Sequence, residues 1–322
     1  MPMIIKTTHR SKAWLALLLV GLVAVLLAGC RPGSNVQEKV AEAHKRYDGP
    51  ALWKVTDHDS ALFLFGTVHL LPDGTDWQRR DMQDAFDNVG TVFFETPDDD
   101  KAALKTSILQ RQYGLYDSGE RLRDKLDVAN LNRLTAAAHN ADVPLARLES
   151  FKPWLAADIL SIAAADKAGL KYTNSADSYL RAKAKAAGKS IYSLDTIETY
   201  FEAVASHPED EQMRAFVQTI KTFDTLIANT KTVNGAWLIG DVDRLEKDMM
   251  IPAQSQSPEI YAALFTTRNA KWVKVLDGFM DGDNNAMVVV GIGHLIGNDG
   301  LPTRFEDLGY TVERVQRFDL PN

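Results

Sequence analysis

The most apolar β-type run in the chain, Ala286–Val290, limits the fold more than any other feature, because it reads as a buried strand. Ala61–Gly66, Thr91–Glu95 and Lys189–Leu194 read as further strands. Ala51–Thr56 pairs with Ala61–Gly66 as a hairpin across the turn-rich Asp57-His58-Asp59-Ser60. Helical patterns lie between these runs. Met82, Phe86 and Val89 fall on one helix face, and Leu122, Leu126 and Leu134 keep roughly helical spacing. Pro153 fits the first turn of a helix, and Gly188 ends the next one. A second helical block runs from Thr196 to about Met280, with breaks expected near Gly240 and Pro252. A short helix and a strand over Thr311–Phe318 close the chain. Strands alternating with long helices predict an α/β fold with a central, mostly parallel sheet flanked by helices. The helical blocks between Asp98 and Asp283 are too large for simple crossovers, so part of them is expected to form a lobe over the sheet.

The first residues read as an address. Residues 1–29 hold Lys6, Arg10 and Lys12 and no acidic residue, and an apolar run of 16 residues extends from Ala13 to Ala28. A spanning helix needs about 20 such residues, so the pattern reads as a secretion signal. It ends Leu27-Ala28-Gly29-Cys30, which resembles a bacterial lipoprotein box with Cys30 as the lipidated residue. Arg31 follows, where an aspartate usually signals inner-membrane retention, so delivery to the outer membrane is expected. Residues 30–50 read as a tether and 51–322 as the folded domain, lipid-anchored on the periplasmic face of the envelope.

Composition narrows the chemistry. One cysteine in 322 residues excludes a disulfide framework and a Cys-based zinc ribbon. The net charge of -7, which becomes -10 without residues 1–29, argues against nucleic acid as a partner. The active groups must come from His, Asp, Glu, Ser or Lys.

Those groups stand at the ends of the strands. Gly66-Thr67-Val68-His69 follows one run, Glu95 ends the next, Asp195 follows the third, and Gly291-Ile292-Gly293-His294 follows the fourth. In open α/β sheets, ligands bind beyond the carboxyl ends of the strands. Four parallel neighbours would therefore bring two imidazoles and one or two carboxylates into one crevice. Gly66 and Gly291, three residues before each histidine, are expected to let the backbone turn sharply off its strand. The two histidine segments also share Gly-x-x-His-Leu, an aliphatic residue, any residue, and Asp or Asn.

Two His and one Glu match a ligand set that leaves a position open for water on a catalytic metal. The same residues also support a metal-free reading, with a histidine activating water and Glu95 orienting it. The chain carries no His-Glu-x-x-His helix and no Gly-x-Ser-x-Gly elbow. Gly188-Lys189-Ser190 lacks the leading glycine of a phosphate loop, and Gly291-x-Gly293 is not completed as a dinucleotide fingerprint.

Leu64-Phe65-Gly66-Thr67-Val68-His69, Glu95, Lys152-Pro153-Trp154, Thr267-Arg268-Asn269 with Trp272, Gly291-Ile292-Gly293-His294 and Gly309-Tyr310-Thr311-Val312-Glu313 together resemble the TraB/GumN family. The likeness runs from about Leu52 to Val315. It implies a site built on His69, His294 and Glu95, kinship with the metalloprotease-like Tiki proteins, and more distant kinship with erythromycin-esterase-like and ChaN-like proteins. It also implies a divalent metal, manganese, cobalt or zinc, held by those three residues, and a hydrolase that could act on peptides. Asp177 matches a family aspartate, although Ser175-Ala176 precedes it where glycine is usual. Asp195 stands where glutamate is common, and its shorter side chain makes direct ligation doubtful. Glu95 or Asp195 would serve as base. Arg268 and Asn269 are expected to hold a substrate carboxylate, orient Glu95, or form a helix-to-sheet salt bridge. A non-catalytic lipoprotein that binds a peptide or glycan, and a metal-free esterase-like hydrolase, are the rival readings.

Overall fold

The computed structural model describes residues 49–315; the expected leader, Cys30 and most of the expected tether lie outside the described residues. Gly49 and Pro50 are already buried, so the packed chain begins by residue 49.

The strands are β1 (Leu52–Thr56), β2 (Ala61–Thr67), β3 (Leu71–Pro72), β4 (Thr91–Phe94), β5 (Leu170–Lys171), β6 (Ser190–Ser193), β7 (Asn285–Gly291) and β8 (Thr311–Arg314). Six of them form one sheet in the order β6-β4-β7-β2-β1-β8, and β3 pairs with β5 apart from it. Strands β6, β4, β7 and β2 are parallel, while β1 lies antiparallel to both β2 and β8. The fold is therefore α/β with a mostly parallel sheet flanked by many helices.

The centre of the sheet is β7, and its apolar run explains that place. Ala286, Met287, Val288, Val289 and Val290 are fully buried, with β4 on one side and β2 on the other. Each valine so placed stabilises the fold by about 1.5–3 kcal/mol relative to an exposed one. The β1–β2 hairpin turns where Asp57 accepts bonds from the Asp59 N–H (3.1 Å), the Ser60 N–H (2.8 Å) and the Ser60 hydroxyl (2.9 Å).

The helix Pro153–Lys167 is apolar all round, with Trp154, Leu155, Leu160 and Ala164 buried, and so sits inside the helical region rather than on its surface. Pro153 occupies its first turn as expected. Gly188 (φ +65°) and Gly240 (φ +67°) close the helices Ala176–Ala186 and Leu226–Leu238, in left-handed geometry that suits glycine. Pro252 breaks nothing. Val242–Leu245, Glu246–Met250 and Ile251–Gln256 run on as one helix, and the break falls at Ser257, before Pro258. The turn before Pro252 is π-helical, with bonds from i to i+5, so the N–H that proline lacks is not required there. The last strand ends at Arg314, and residues 316–318 of the expected strand lie outside the described residues. Among the described residues no helix is long and apolar enough to cross a membrane.

Candidate active site

The parallel order β6-β4-β7-β2 sets the ends of four strands side by side, and the side chains expected there do meet. Gly66 and Gly291 are not turn residues, however. Both still belong to their strands, Gly66 opposite Val290 and Gly291 opposite Thr67, and neither has a positive φ. Their service is close approach. A Cβ on Gly66 would lie 2.4 Å from the Ile292 Cδ1 and 3.2 Å from its Cα. A Cβ on Gly291 would lie 3.2 Å from the Glu95 Oε1 and 3.3 Å from the His69 Nε2, so any side chain there would press on both groups.

His69 is held by its Nδ1, 3.2 Å from the Asp177 Oδ2, while the other carboxylate oxygen accepts the Thr67 hydroxyl at 2.8 Å. A carboxylate partner puts the proton on Nδ1 and leaves the Nε2 lone pair facing the cavity. Burial alone would lower the His69 pKa, but the charge and hydrogen bond of Asp177, with the charge of Glu95, raise it above its ordinary value. Asp177 is placed by the start of the helix Ala176–Ala186, where the Ser175 side chain accepts the Ser178 N–H at 3.1 Å. The serine that departs from the family pattern is thus the helix cap.

Glu95 follows β4 and is fixed at both oxygens: Oε1 accepts the Gly291 N–H at 2.7 Å, and Oε2 accepts an Arg268 N–H at 2.7 Å. Burial would raise its pKa, yet Arg268, the two imidazoles and the Gly291 N–H outweigh that effect and bring it down to about 2. An acid so weakly basic stays ionised and takes up no proton at neutral pH. Asp195 follows β6, and its Oδ2 accepts the Arg268 Nε–H at 2.7 Å. It is the anchor of a guanidinium rather than a free base. Arg268, on the helix Thr267–Met280, thus forms the helix-to-sheet salt bridge, which also fixes Glu95, and it lies over the Trp272 ring at 4.5 Å. Its Nη1 also reaches the Leu264 carbonyl (3.2 Å) and the His294 Nε2 (3.1 Å). A guanidinium always carries its proton, so Nε2 of His294 must accept.

Asn269 takes no part in holding Glu95. Its amide donates to the carbonyls of His294 (3.2 Å) and Asp299 (2.7 Å), so its Oδ1 accepts from the His294 Nδ1 at 2.6 Å. His294 is also wedged between Trp272, 4.3 Å away centroid to centroid, and Phe265 at 5.0 Å. Burial lowers its pKa to about 3, with the Glu95 charge opposing and Arg268 assisting. Both ring nitrogens are used.

In this arrangement two of the three side chains expected to hold a metal, Glu95 and His294, are engaged with Arg268, which spans the His294 Nε2 and the Glu95 Oε2. Among the described residues, the only group of three His or carboxylate side chains whose ligand atoms lie within 4.8 Å of one another is Asp57, His58 and Asp59. These are exposed in the hairpin turn, where Asp57 is engaged with Ser60.

A cavity of about 50 Å³ opens beside His69, Glu95, Gly291 and His294, room for a few waters. Met249 and Phe265 close its apolar side. Each lies in a π-helical turn, Glu246–Met250 and Ala262–Thr266, and no sequence period marks such turns. Sequence reading also missed Thr67 and Tyr172. Thr67 lies inside the first histidine motif and could have been noticed as a hydroxyl beside it. Tyr172, whose ring centroid is 6.5 Å from that of His69, carried no local signal.

Residues 51–314 match the model of the TraB/PrgY/gumN family, and the chain belongs to that family. No curated protein and no solved structure matches it.

Proposed function

We propose that this member of the TraB/PrgY/gumN family is a hydrolase in which His69 activates water. One observation carries the reading: His69 and Glu95 line one small cavity, and the His69 Nε2 and the Glu95 Oε1 both lie close against Gly291 on its wall. A water in that cavity would donate to one or both of these acceptors. Its oxygen attacks a carbonyl carbon, its proton passes to Nε2, and the imidazolium is stabilised by Asp177, which Thr67 holds in place. The same proton then goes to the leaving amine or alcohol as the tetrahedral adduct collapses. Glu95 orients the water and supports the imidazolium charge, but its low basicity makes it a poor proton acceptor. The Tyr172 hydroxyl, whose pKa burial raises, keeps its proton, and with its ring beside His69 it is the donor we assign to the developing oxyanion.

A metal-dependent form of the reaction is the second reading, and charge favours it. Among the described residues, Glu95, Asp177 and Asp195 are buried around Arg268 and His69, which leaves a surplus of negative charge while His69 is neutral. Manganese, cobalt or zinc on His69, Glu95 and His294 would require Arg268 to withdraw first. Location is part of the proposal too: the Leu27-Ala28-Gly29-Cys30 segment supports a lipid anchor in the bacterial envelope. A Cys30→Ser variant should then lose acyl labelling and leave the membrane fraction.

The test is to assay the protein, stripped with chelator, on p-nitrophenyl esters and on a fluorogenic peptide panel, beside His69→Ala. Turnover that survives chelation and is lost in the folded variant supports the proposal. Turnover restored only by manganese, cobalt or zinc replaces it with the metal reading. No turnover on any substrate, with a peptide or glycan still bound, overturns both in favour of a binding protein.

A further inference from the structure

The helical region holds a second and larger cavity, about 840 Å³, between the helices Asp100–Gly114 and Pro153–Lys167 and the short strand β5. It adjoins the active site, because Leu70 lines both cavities and Tyr172 stands in its wall with its ring beside His69. The body of the cleft is apolar, with Leu115, Phe151, Leu155, Ile159 and Ile162 among its lining. Its charged residues are unevenly divided. Arg111, Arg147 and Lys171 are exposed on the lining, and no ion pair engages them among the described residues. The lining holds one exposed carboxylate against these three, Asp166. An excess of cations is unusual on a chain whose net charge is -7.

Asp158 gives an independent sign of a ligand. It is 6% exposed, lines the cleft, and no hydrogen bond or ion pair to its carboxyl is found among the described residues. A buried polar group without a partner costs about 1–3 kcal/mol, so a partner brought in by a ligand would be rewarded. Burial raises the Asp158 pKa well above the usual carboxylate range, which favours the protonated form, a donor for a carbonyl oxygen.

We propose that this cleft holds the body of the substrate and that the substrate is an amphipathic anion. Its apolar chain lies along Phe151, Leu155 and Ile159, its acidic group meets Arg111, Arg147 and Lys171, and its scissile carbonyl reaches His69 past Leu70 and Tyr172. Asp158 takes a second carbonyl or ether oxygen on the chain. Size agrees, since 840 Å³ falls within the range of cavities that enclose a whole small ligand. The inference rests on the hydrolase reading for the position of the scissile bond, but the cleft itself is testable without turnover.

Binding of dodecanoate, butyrate and dodecyltrimethylammonium to the protein is measured by titration calorimetry, beside His69→Ala and an Arg111→Glu/Arg147→Glu variant. Dodecanoate should bind at least tenfold more tightly than either comparator. It should bind the His69→Ala variant equally well and lose at least tenfold in the charge-reversed variant. Equal affinity for the ammonium, no gain over butyrate, or indifference to charge reversal would overturn the proposal. An acidic peptide that binds where dodecanoate does not would overturn it as well. Failure of the hydrolase reading looks different: dodecanoate binds as expected, while p-nitrophenyl dodecanoate and every other ester or peptide is left intact. Hydrolysis of short esters without dodecanoate binding would retire the cleft and leave the active site standing. A fully supportive result adds a lower KM for p-nitrophenyl esters with long chains than for those with short ones.

Discussion

Gly66-Thr67-Val68-His69 and Gly291-Ile292-Gly293-His294 leave adjacent parallel strands and carry the same pattern of residues, yet their histidines have opposite properties. His69 has Asp177 on Nδ1, faces a cavity with Nε2, and has its pKa raised. His294 is packed between Trp272 and Phe265, has Asn269 on one nitrogen and Arg268 on the other, and has its pKa lowered to about 3. A motif delivers an imidazole to a place. The partners of its two nitrogens decide whether it works as a base or as a fixed, neutral strut, and those partners come from distant helices. The difference also explains Arg268: with His294 neutral, its guanidinium can rest against that ring while it binds Glu95 and Asp195.

The sharpest way to break the comparison is to truncate each histidine in turn. His69→Ala should lower turnover by about 10²–10⁴-fold, the usual worth of a positioned general base, with little change in thermal midpoint. His294→Ala opens a hole in a packed core and should cost about 2–5 kcal/mol in denaturant unfolding. If the two variants behave alike, the division of labour is wrong. Arg268→Ala leaves Glu95 and Asp195 buried without their cation and should cost about 3–5 kcal/mol. Glu95→Gln/Asp195→Asn in that background should recover part of the loss.

Acid provides a third test. His294 is neutral in the fold down to about pH 3 but protonates near 6.5 when unfolded, and Glu95 stays ionised to about 2 against an ordinary 4.5. At these two groups the unfolded chain therefore binds more protons through this window. Stability contributed by His294 is complete above pH 6.5 and lost as pH falls toward 3, and that of Glu95 is lost from 4.5 toward 2. His69 and Asp158, with raised pKa values, act in the opposite sense, so the His294 contribution is read by difference: His294→Gln should lose less thermal midpoint than the parent between pH 7 and 4. The same pH slope in both proteins would contradict the assignment. The smallest effect expected is a displacement. Asp177 raises the pKa of His69, so Asp177→Asn should move the acid limb of the kcat/KM profile to lower pH, besides reducing its height.

Much of the scaffold was legible in the chain because it rests on local patterns. The apolar run of β7 can be buried nowhere but in the middle of a sheet, and it is central. Pro153 and Gly188 act at helix ends because φ is a property of a single residue. Pro252 misled for a related reason: a proline's effect depends on the hydrogen-bond pattern around it, and a π turn supplied a different one. The strand-end glycines misled similarly, since close approach by Ile292, Glu95 and His69 leaves no trace in the residues next to Gly66 and Gly291.

The amino-acid sequence by itself determined the six strands of the main sheet, that their ends bring His69, Glu95, Asp195 and His294 together, and the family to which such a chain belongs. Only the tertiary structure decided what each of these groups is. Protonation, tautomer and charge depend on atoms within about 3 Å, and here those atoms belong to Asp177, Asn269 and Arg268 on other elements. The cleft beside Tyr172 was decided in the same way, because a cavity is the space that separate helices fail to fill, and no single segment encodes it.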